Sequence, residues 1–173
     1  MDIGTETIHL FDYDISYIKN CMSSLTVQDW QFNQLRQKSF KTDHGDTESI
    51  ILIWGKSNQK VTISKELSDA VYEVGDKIKN FYGDGSFVTT LMLVKLFKNG
   101  KIPNHNDGGI LSEVHRCHLP IITNENCDFF INNKKFFFEE GKVIEFNNVM
   151  NHSVINNSNI DRIHLICDIY KRK

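Results

Sequence analysis

Short apolar runs separated by turn residues dominate the chain from residue 86 onward. The runs have the length of β-strands, and Asn132-Asn133 and Glu140-Gly141 are turn signals between them. The predicted strands are 87–97, 113–122, 127–131, 135–138, 142–147, 152–156 and 161–169. Many short strands with tight connections favour a closed antiparallel sandwich or barrel, and the jelly roll of the cupin type is one such architecture.

The first 85 residues show helical spacing of apolar positions instead. A stripe from Ile15 to Met22 predicts a helix over roughly 15–24. Ser64 is a suitable N-cap for a second helix that reaches about residue 81. The apolar positions of that helix are Leu67, Val71, Val74, Ile78 and Phe81. Residues 1–12 are expected to be extended, 48–54 to form a strand, and 26–47 carry no pattern that assigns them.

These patterns predict a mainly β protein of the α+β class. Its 173 residues suit one domain with a single substantial core. Within that domain we expect residues 1–85 to supply helices that buttress one sheet, and residues 86–170 to form the jelly-roll core. Trp30 and Phe32, in the unassigned segment, are expected to be minor core residues.

Composition and charge narrow the range of functions. The formal net charge of −2 gives no electrostatic reason to bind nucleic acid or an anionic membrane. The four cysteines have no C-x-x-C spacing, which argues against a cysteine zinc site or a redox pair. The N-terminal residues lack the basic and apolar regions of a signal peptide, and no apolar run approaches the ~20 residues of a membrane span. A cytoplasmic protein with reduced thiols is the expectation.

One His-x-Asp pair and a later histidine carry the clearest chemical signal. His105 and Asp107 are separated by one residue, so in an extended segment both side chains point to the same side. Pro103 before them and Gly108 after them indicate a loop at the rim of the fold. With His152, they provide two imidazoles and one carboxylate, which is the facial triad of non-haem Fe(II) oxygenases.

Arg162 lies in the predicted strand that follows His152. Both faces of this strand are largely apolar, so a buried arginine is expected there, and a buried arginine needs an anion. One alternative is an internal Asp or Glu partner. The other is the distal carboxylate of 2-oxoglutarate, which a planar guanidinium grips through two hydrogen bonds. His164, on the same face, is expected to be a packed, hydrogen-bonded histidine.

Other polar residues in the predicted strands have two interpretations each. Arg116 and His118 share one face of their strand, so they line a polar cavity suited to a carboxylate, or they face solvent with His115 and Cys117 inward. Lys95 either lines the pocket or lies at an edge. His9 and His44 belong to no pattern and are expected at the surface.

Over residues 86–170 the chain resembles the aspartyl/asparaginyl β-hydroxylase family of Fe(II)- and 2-oxoglutarate-dependent dioxygenases. The motifs that carry the resemblance are Gly100-x-Ile102-Pro103-x-His105-x-Asp107-Gly108, Arg116-x-His118-x-Pro120-Ile121, Gly141-x4-Phe146-x-Asn148, His152-x-Val154-x-Asn156 and Arg162-x-His164-Leu165-x-x-Asp168. The animal endoplasmic-reticulum member has glycine at the position of Asp107, so this chain is similar to microbial members that keep the full triad.

The resemblance implies a double-stranded β-helix core and a set of roles. His105, Asp107 and His152 match the metal ligands, Arg162 matches the 2-oxoglutarate anchor, and Arg116 with His118 match residues near the same co-substrate. The implied reaction consumes 2-oxoglutarate and dioxygen, yields succinate and CO₂, and hydroxylates a substrate, with ascorbate as a candidate auxiliary reductant. The implied substrate is an Asp or Asn residue of a peptide or protein, or a free amino acid such as proline.

Three other classes are compatible with parts of this pattern. A non-catalytic cupin-like module would bind a metal or small molecule but would need no buried carboxylate anchor. A zinc-dependent isomerase or hydrolase could use the same triad. A purely structural jelly roll would leave His105, Asp107 and His152 apart in space. Specificity is expected to come from loops around 30–47 and 106–113.

Overall fold

The polypeptide forms two antiparallel β-sheets with helices packed against one of them. The computed structural model describes residues 1–39 and 45–172. Within these ranges the helices are Ser16–Met22 (α1), Val27–Gln31 (α2), Leu35–Ser39 (α3) and Lys65–Tyr82 (α4), with a 3-10 helix at Gly109–Glu113. The strands are Thr7–Asp12 (β1), Thr47–Trp54 (β2), Ser57–Asn58 (β3), Ser86–Leu96 (β4), Lys101–His105 (β5), His115–Ile122 (β6), Cys127–Ile131 (β7), Lys134–Phe136 (β8), Lys142–Phe146 (β9), His152–Asn156 (β10) and Arg162–Lys171 (β11).

The larger sheet has the strand order β1-β9-β6-β11-β4-β2-β3 and places β11 at its centre. Side chains of β11 alternate between two cores: Leu165 and Cys167 pack toward the helices, and Ile166 packs on the opposite face. Every residue from Arg162 to Ile169 is buried. The prediction that this strand is covered on both faces is therefore confirmed.

The smaller sheet has the order β5-β10-β7-β8 and faces the larger one. Between them lies an apolar core to which Phe146 contributes from the larger sheet and Phe129 and Val154 from the smaller. Asn132 and Asn133 have φ angles of 49° and 63° and join β7 to β8, as a two-residue hairpin turn requires. The predicted jelly-roll, or double-stranded β-helix, core is confirmed.

Helices α1, α2 and α4 cover the outer face of the larger sheet, as the predicted buttressing role requires, whereas α3 packs on the opposite face of β2 through Arg36 and Thr47. Ser64 Oγ accepts a 3.2 Å hydrogen bond from the Leu67 amide and so starts α4 as predicted. A Cβ on Gly75 would lie 3.1 Å from Leu91 Cδ2, so this glycine lets α4 approach β4 closely. Phe81, predicted as a core position, is 53% exposed. It lies in the last turn of α4, where its ring is 6.2 Å from that of Phe11.

Residues 26–47, which the sequence left unassigned, contain two five-residue helices in their described part. Thr26 and Asp29 form a capping box that starts α2, and this helix buries Trp30 in the main core. Phe32, expected as minor core, is 52% exposed. No helix in residues 1–39 or 45–172 is long and apolar enough to span a membrane.

Residues 101–105 form a strand, so the rim loop predicted around His105 and Asp107 is present only after His105. Proline is depleted in strands because it cannot donate a ladder hydrogen bond, and Pro103 therefore argued for a loop. The position of β5 at the edge of the smaller sheet removes that conflict, because one side of an edge strand needs no partner. The loop begins only after His105, at Asn106.

Candidate metal centre and its pocket

The two predicted histidine ligands face each other across neighbouring strands. His105 ends β5, His152 begins β10, and the two residues are partners in the antiparallel register. Their ring centroids lie 4.3 Å apart. Strand pairing in the smaller sheet thus brings together two imidazoles that are distant in sequence.

Hydrogen bonds at the backbone set the orientation of both rings. His105 Nδ1 lies 2.7 Å from the Pro103 carbonyl oxygen, and His152 Nδ1 lies 2.9 Å from that of Met150. A carbonyl can only accept, so each Nδ1 carries the proton and each Nε2 keeps its lone pair for a metal. Burial is the largest influence on the pKa of His152 and lowers it to about 4, so this ring is neutral at pH 7.

Asp107 completes the group from the loop after β5. Its amide donates a 2.9 Å hydrogen bond to the Asn148 carbonyl, which anchors the loop. One ligand atom from each of His105, Asp107 and His152 lies within 4.8 Å of the other two. Two imidazole nitrogens and one carboxylate oxygen form the donor set expected for non-haem Fe(II), so the residues fit this metal.

Arg116 orients the Asp107 carboxylate through a hydrogen bond. Its Nη1 donates a 2.6 Å hydrogen bond to Asp107 Oδ2, while Nε and Nη2 each donate 2.8 Å hydrogen bonds to Asp168. Burial opposes the charge, but the Asp168 and Asp107 carboxylates outweigh it and raise the pKa of Arg116. This guanidinium therefore fixes the position of the Asp107 carboxylate, and the predicted place of Arg116 near the co-substrate stays a prediction.

Asp168 is the partner that sequence reasoning did not assign. It is fully buried on β11, directly opposite Arg116 on β6. Its position in the motif shared with the family was the available signal. Its pairing with Arg116 follows from strand register, which the sequence alone did not define.

Arg162 is buried deep in the same region, with 1% of its surface exposed. Its Nε and Nη1 atoms have no hydrogen-bond partner in the described part of the chain, and the Cys127 thiol is a polar side chain that contacts it. Burial lowers the pKa of Arg162. Among the described residues no carboxylate lies within salt-bridge distance of Arg162. The alternative of an internal Asp or Glu partner for Arg162 is therefore not supported by these residues.

Two buried histidines lie beside this arginine. His118 Nδ1 and His164 Nδ1 are 3.2 Å apart, and within residues 1–39 and 45–172 the Nε2 atom of each has no hydrogen-bond partner. Burial, followed by the positive charge of Arg162, lowers the pKa of both rings well below the ordinary value. His164 is thus a packed, hydrogen-bonded histidine, as expected, and His118 points to the inside of the fold and not to solvent.

Two adjoining cavities open on this set of residues. The first has His105 and His152 on one wall and Arg162 with His118 on another. The second has a volume of about 390 Å³ and is lined by Trp54, Met92, Asp107 and Ile110 among others. Four residues line both cavities: Arg36, His105, Arg116 and Ile166.

Arg36 is a further residue that the sequence did not indicate. It lies on α3, is 5% exposed, and its Nη1 donates a 2.8 Å hydrogen bond to Thr47 Oγ1. Burial, reinforced by the charges of Arg116 and Arg162, lowers the pKa of Arg36 to about 9. A single arginine in a polar segment has no periodicity that marks it as buried, so its placement required the structure.

The remaining candidates lie away from the cavities. Lys95 makes a 2.6 Å ion pair with Glu48 and lies over the Trp30 ring. It lines neither cavity, and β4 is an internal strand, so neither of its two predicted positions is met. His9 is on the surface, where it pairs with Asp12. His44, expected at the surface, lies outside the described residues.

The double-stranded β-helix and its His-Asp-His group define the class of non-haem Fe(II) and 2-oxoglutarate oxygenases. The sequence model of the aspartyl/asparaginyl β-hydroxylase family matches residues 14–172. The chain belongs to this family, and it is a hydroxylase with Fe(II) and 2-oxoglutarate as its cofactors.

Solved structures of low sequence identity share the fold. A 2OG-Fe(II) oxygenase-family oxidoreductase from Burkholderia pseudomallei is 14% identical, with a TM-score of 0.66 over 96% of this chain and 85% of that chain. A viral collagen prolyl hydroxylase from Paramecium Bursaria Chlorella virus-1, solved with 2OG, is 10% identical, with a TM-score of 0.59 over 95% and 94% of the two chains. No curated protein sequence gives a significant match.

Proposed function

We propose that the protein uses 2-oxoglutarate and dioxygen to hydroxylate an amino-acid side chain, in a peptide or protein or as a free amino acid. The observation that carries the proposal is the buried Arg162, whose Nε and Nη1 have no hydrogen-bond partner among the described residues, in a cavity shared with His105 and His152. His105, Asp107 and His152 are the residues that would hold Fe(II). When bound, the metal supplies the oxidative decarboxylation of 2-oxoglutarate and the oxidation of a C–H bond.

Arg162 is the proposed anchor of the far carboxylate of 2-oxoglutarate. Burying a guanidinium without an anion destabilises the fold by several kcal/mol. A bound carboxylate would offset this destabilisation. Two parallel hydrogen bonds from one guanidinium would also fix the orientation of the co-substrate. His118 and His164 support the same proposal, because their buried Nε2 atoms, beside Arg162, have no partner among the residues that the structure describes.

Apolar side chains around the first cavity would exclude water from the reacting groups. Phe129, Phe146 and Val154 line it from the core between the sheets, and Ile166 lines it from β11. Electrostatic interactions strengthen when water is removed, so this wall reinforces the hold of Arg162 on an anion. It would also protect reactive species formed at the metal from solvent.

Succinate formation tests the proposal. The purified protein is incubated with Fe(II), ascorbate, air and 2-oxoglutarate, and succinate is measured for the wild type, His152→Ala and Arg162→Ala. We expect His152→Ala to abolish succinate, and Arg162→Ala to raise the half-saturating 2-oxoglutarate concentration at least tenfold while Fe(II) affinity changes little. Arg172→Ala, which removes an exposed charge just beyond the same strand, is the matched control.

The same assay separates the proposal from its rivals. A zinc-dependent hydrolase or isomerase would be active with Zn²⁺ and would form no succinate with Fe(II). A binding module would bind 2-oxoglutarate without consuming it. An unchanged half-saturating concentration in Arg162→Ala would show that the anchor is assigned to the wrong residue.

A further inference from the structure

His118 and His164 share one hydrogen bond in the interior of the fold. Their Nδ1 atoms lie 3.2 Å apart, and the two ring planes are inclined at 86° to each other. The residues are 4% and 2% exposed, so the contact is shielded from solvent. Two lone pairs facing each other at this distance would repel, and so would two N–H groups. One Nδ1 atom therefore donates a proton to this hydrogen bond, and the other accepts it.

The shared hydrogen bond couples the tautomers of the two rings. Burial, followed by the charge of Arg162, lowers the pKa of both histidines well below 6.5, so at pH 7 each ring is neutral and carries one N–H. The ring that donates through Nδ1 has a lone pair at Nε2. The ring that accepts through Nδ1 has its proton on Nε2. The pair thus has two arrangements, which present opposite hydrogen-bonding atoms at the two Nε2 positions.

His118 is the member of the pair that faces the first cavity. It lines this cavity together with Arg162, whereas His164 lines neither cavity. Its Nδ1 is engaged by His164, so Nε2 is the polar atom that His118 can offer to a ligand, and no described residue bonds to it. A lone pair at Nε2 would repel a carboxylate, whereas an N–H would bind one. The arrangement with the proton on His118 Nε2 therefore suits the anion that Arg162 requires.

The aromatic rings around His118 do not select its tautomer. Phe129, Phe138 and Phe146 meet the imidazole edge to face, with centroid distances of 5.8, 6.1 and 5.1 Å. These contacts restrict the plane of the ring, but they include no conventional hydrogen bond that would fix a proton on one nitrogen. In residues 1–39 and 45–172 the only hydrogen-bond partner of the His118 side chain is His164. The tautomer of His118 thus depends on His164.

We infer that His164 is a positioning residue that keeps the proton of His118 on Nε2, so that His118 donates a hydrogen bond to a carboxylate of 2-oxoglutarate beside Arg162. His164 acts through His118, because it lines neither cavity itself. No proton moves between the rings: one stays on Nδ1 of His164 and the other on Nε2 of His118. The inference rests on the proposed function, because the carboxylate is that of 2-oxoglutarate.

Nitrogen NMR of protein that carries isotope-labelled histidine measures the tautomers directly. The protein is loaded with 2-oxoglutarate and diamagnetic Zn²⁺, which replaces Fe(II) so that the signals stay sharp. The protonated and unprotonated nitrogens of a neutral imidazole have well-separated chemical shifts. We expect the proton of His118 on Nε2 and that of His164 on Nδ1, with the signals assigned from His118→Phe and His164→Asn. The reverse arrangement, or an equal mixture of the two, would overturn the inference.

Three variants separate the hydrogen bond of His164 from its packing. His164→Leu removes the donor, and we expect the dissociation constant of 2-oxoglutarate for the metal-loaded protein to rise about tenfold, the loss typical of a hydrogen bond to a charged group. His164→Asn can place an amide N–H near the position of Nδ1 and is expected to recover most of the affinity. Phe138→Leu loosens the packing of both histidines but keeps their hydrogen bond, so it is the matched control. Thermal melting shows whether each variant is folded.

The affinities also define the results that would contradict the role of His164. Equal weakening in His164→Leu, His164→Asn and Phe138→Leu would show that packing alone matters, and unchanged affinity in His164→Leu would show that the residue has no role in binding. Normal 2-oxoglutarate binding with the reverse tautomers would overturn the inference and leave the proposed function intact. If the wild type does not bind 2-oxoglutarate when metal is present, the proposed function fails, and the inference fails with it.

Discussion

Arg116 Nη1 donates a 2.6 Å hydrogen bond to Oδ2 of Asp107, the carboxylate ligand of the candidate metal centre. The same guanidinium is held on its other side by two hydrogen bonds to Asp168. Because Asp107 comes from a loop, this chain of ionic hydrogen bonds ties its carboxylate to the central strands of the larger sheet. One oxygen is occupied, and the other is free to ligate.

Asp168→Asn tests this arrangement. The change removes the charge that holds Arg116 and turns one acceptor into a donor, so Asp107 loses its orientation. Loss of such outer partners typically costs 10–100-fold in metal affinity, and we expect a weakening of that size, measured by competition with a metal-binding dye. Asp84→Asn, on an exposed loop, is the control. Equal affinities of the two variants would contradict the role of Asp168.

The pair of buried histidines predicts a particular acid sensitivity. The pKa values of His118 and His164 lie well below 6.5 in the folded state. Below pH 6.5 the unfolded chain therefore binds protons at these two rings, whereas the folded chain does not. The free energy of unfolding therefore falls as the pH is lowered from about 6.5, by up to about 1.4 kcal/mol per pH unit for each ring.

Urea denaturation between pH 7 and pH 5 measures this slope. His164→Gln removes one of the two rings and is expected to reduce the slope by as much as about 1.4 kcal/mol per pH unit. His9→Gln, at the surface, is expected to leave it unchanged. A slope that His164→Gln does not alter would show that this ring is not excluded from protonation in the fold.

Tyr82 joins the helical layer to the larger sheet through a buried network. Its hydroxyl donates a 2.7 Å hydrogen bond to Glu145 Oε2, and His115 Nδ1 lies 2.6 Å from Oε1 of the same carboxylate. Burial raises the pKa of Tyr82, so the hydroxyl stays protonated as a donor. The network holds the C-terminal end of α4 against β6 and β9.

Tyr82→Phe is expected to lower the free energy of unfolding by about 1–3 kcal/mol, because the buried Glu145 carboxylate then lacks one of its donors. Binding of 2-oxoglutarate should change little, because Tyr82 lines neither of the two cavities. Tyr17→Phe, at a position that is 58% exposed, is the control in the same denaturation assay. A Tyr82→Phe variant as stable as Tyr17→Phe would show that this hydrogen bond adds nothing to stability.

Local pattern was sufficient to predict most of the strands and the long helix. Alternation and turn residues located β6, β7, β9, β10 and β11, because each is a short apolar segment between polar turns. The helical period located α4, and Ser64 marked its start. The two five-residue helices α2 and α3 were not predictable, because so short a segment contains little more than one helical period.

The site was predictable as a set of residue types but not as an arrangement. His105, Asp107 and His152 are close together because β5 pairs with β10, and pairing is a property of the whole fold. Arg162 was identified because a charged residue in an apolar strand conflicts with its surroundings. Asp168 was missed because its role depends on Arg116, which lies 52 residues away in sequence, and Arg36 because nothing in its polar segment marks it as buried.

Anaerobic titration of 2-oxoglutarate into the Fe(II)-loaded protein, followed by calorimetry, tests the central claim most directly. The account predicts one bound 2-oxoglutarate per chain in the wild type, little binding without metal, and at least tenfold weaker binding in Arg162→Ala. His152→Ala should bind neither Fe(II) nor 2-oxoglutarate well. Wild-type protein that fails to bind 2-oxoglutarate with Fe(II), or that binds it equally well without metal and without Arg162, would contradict the account.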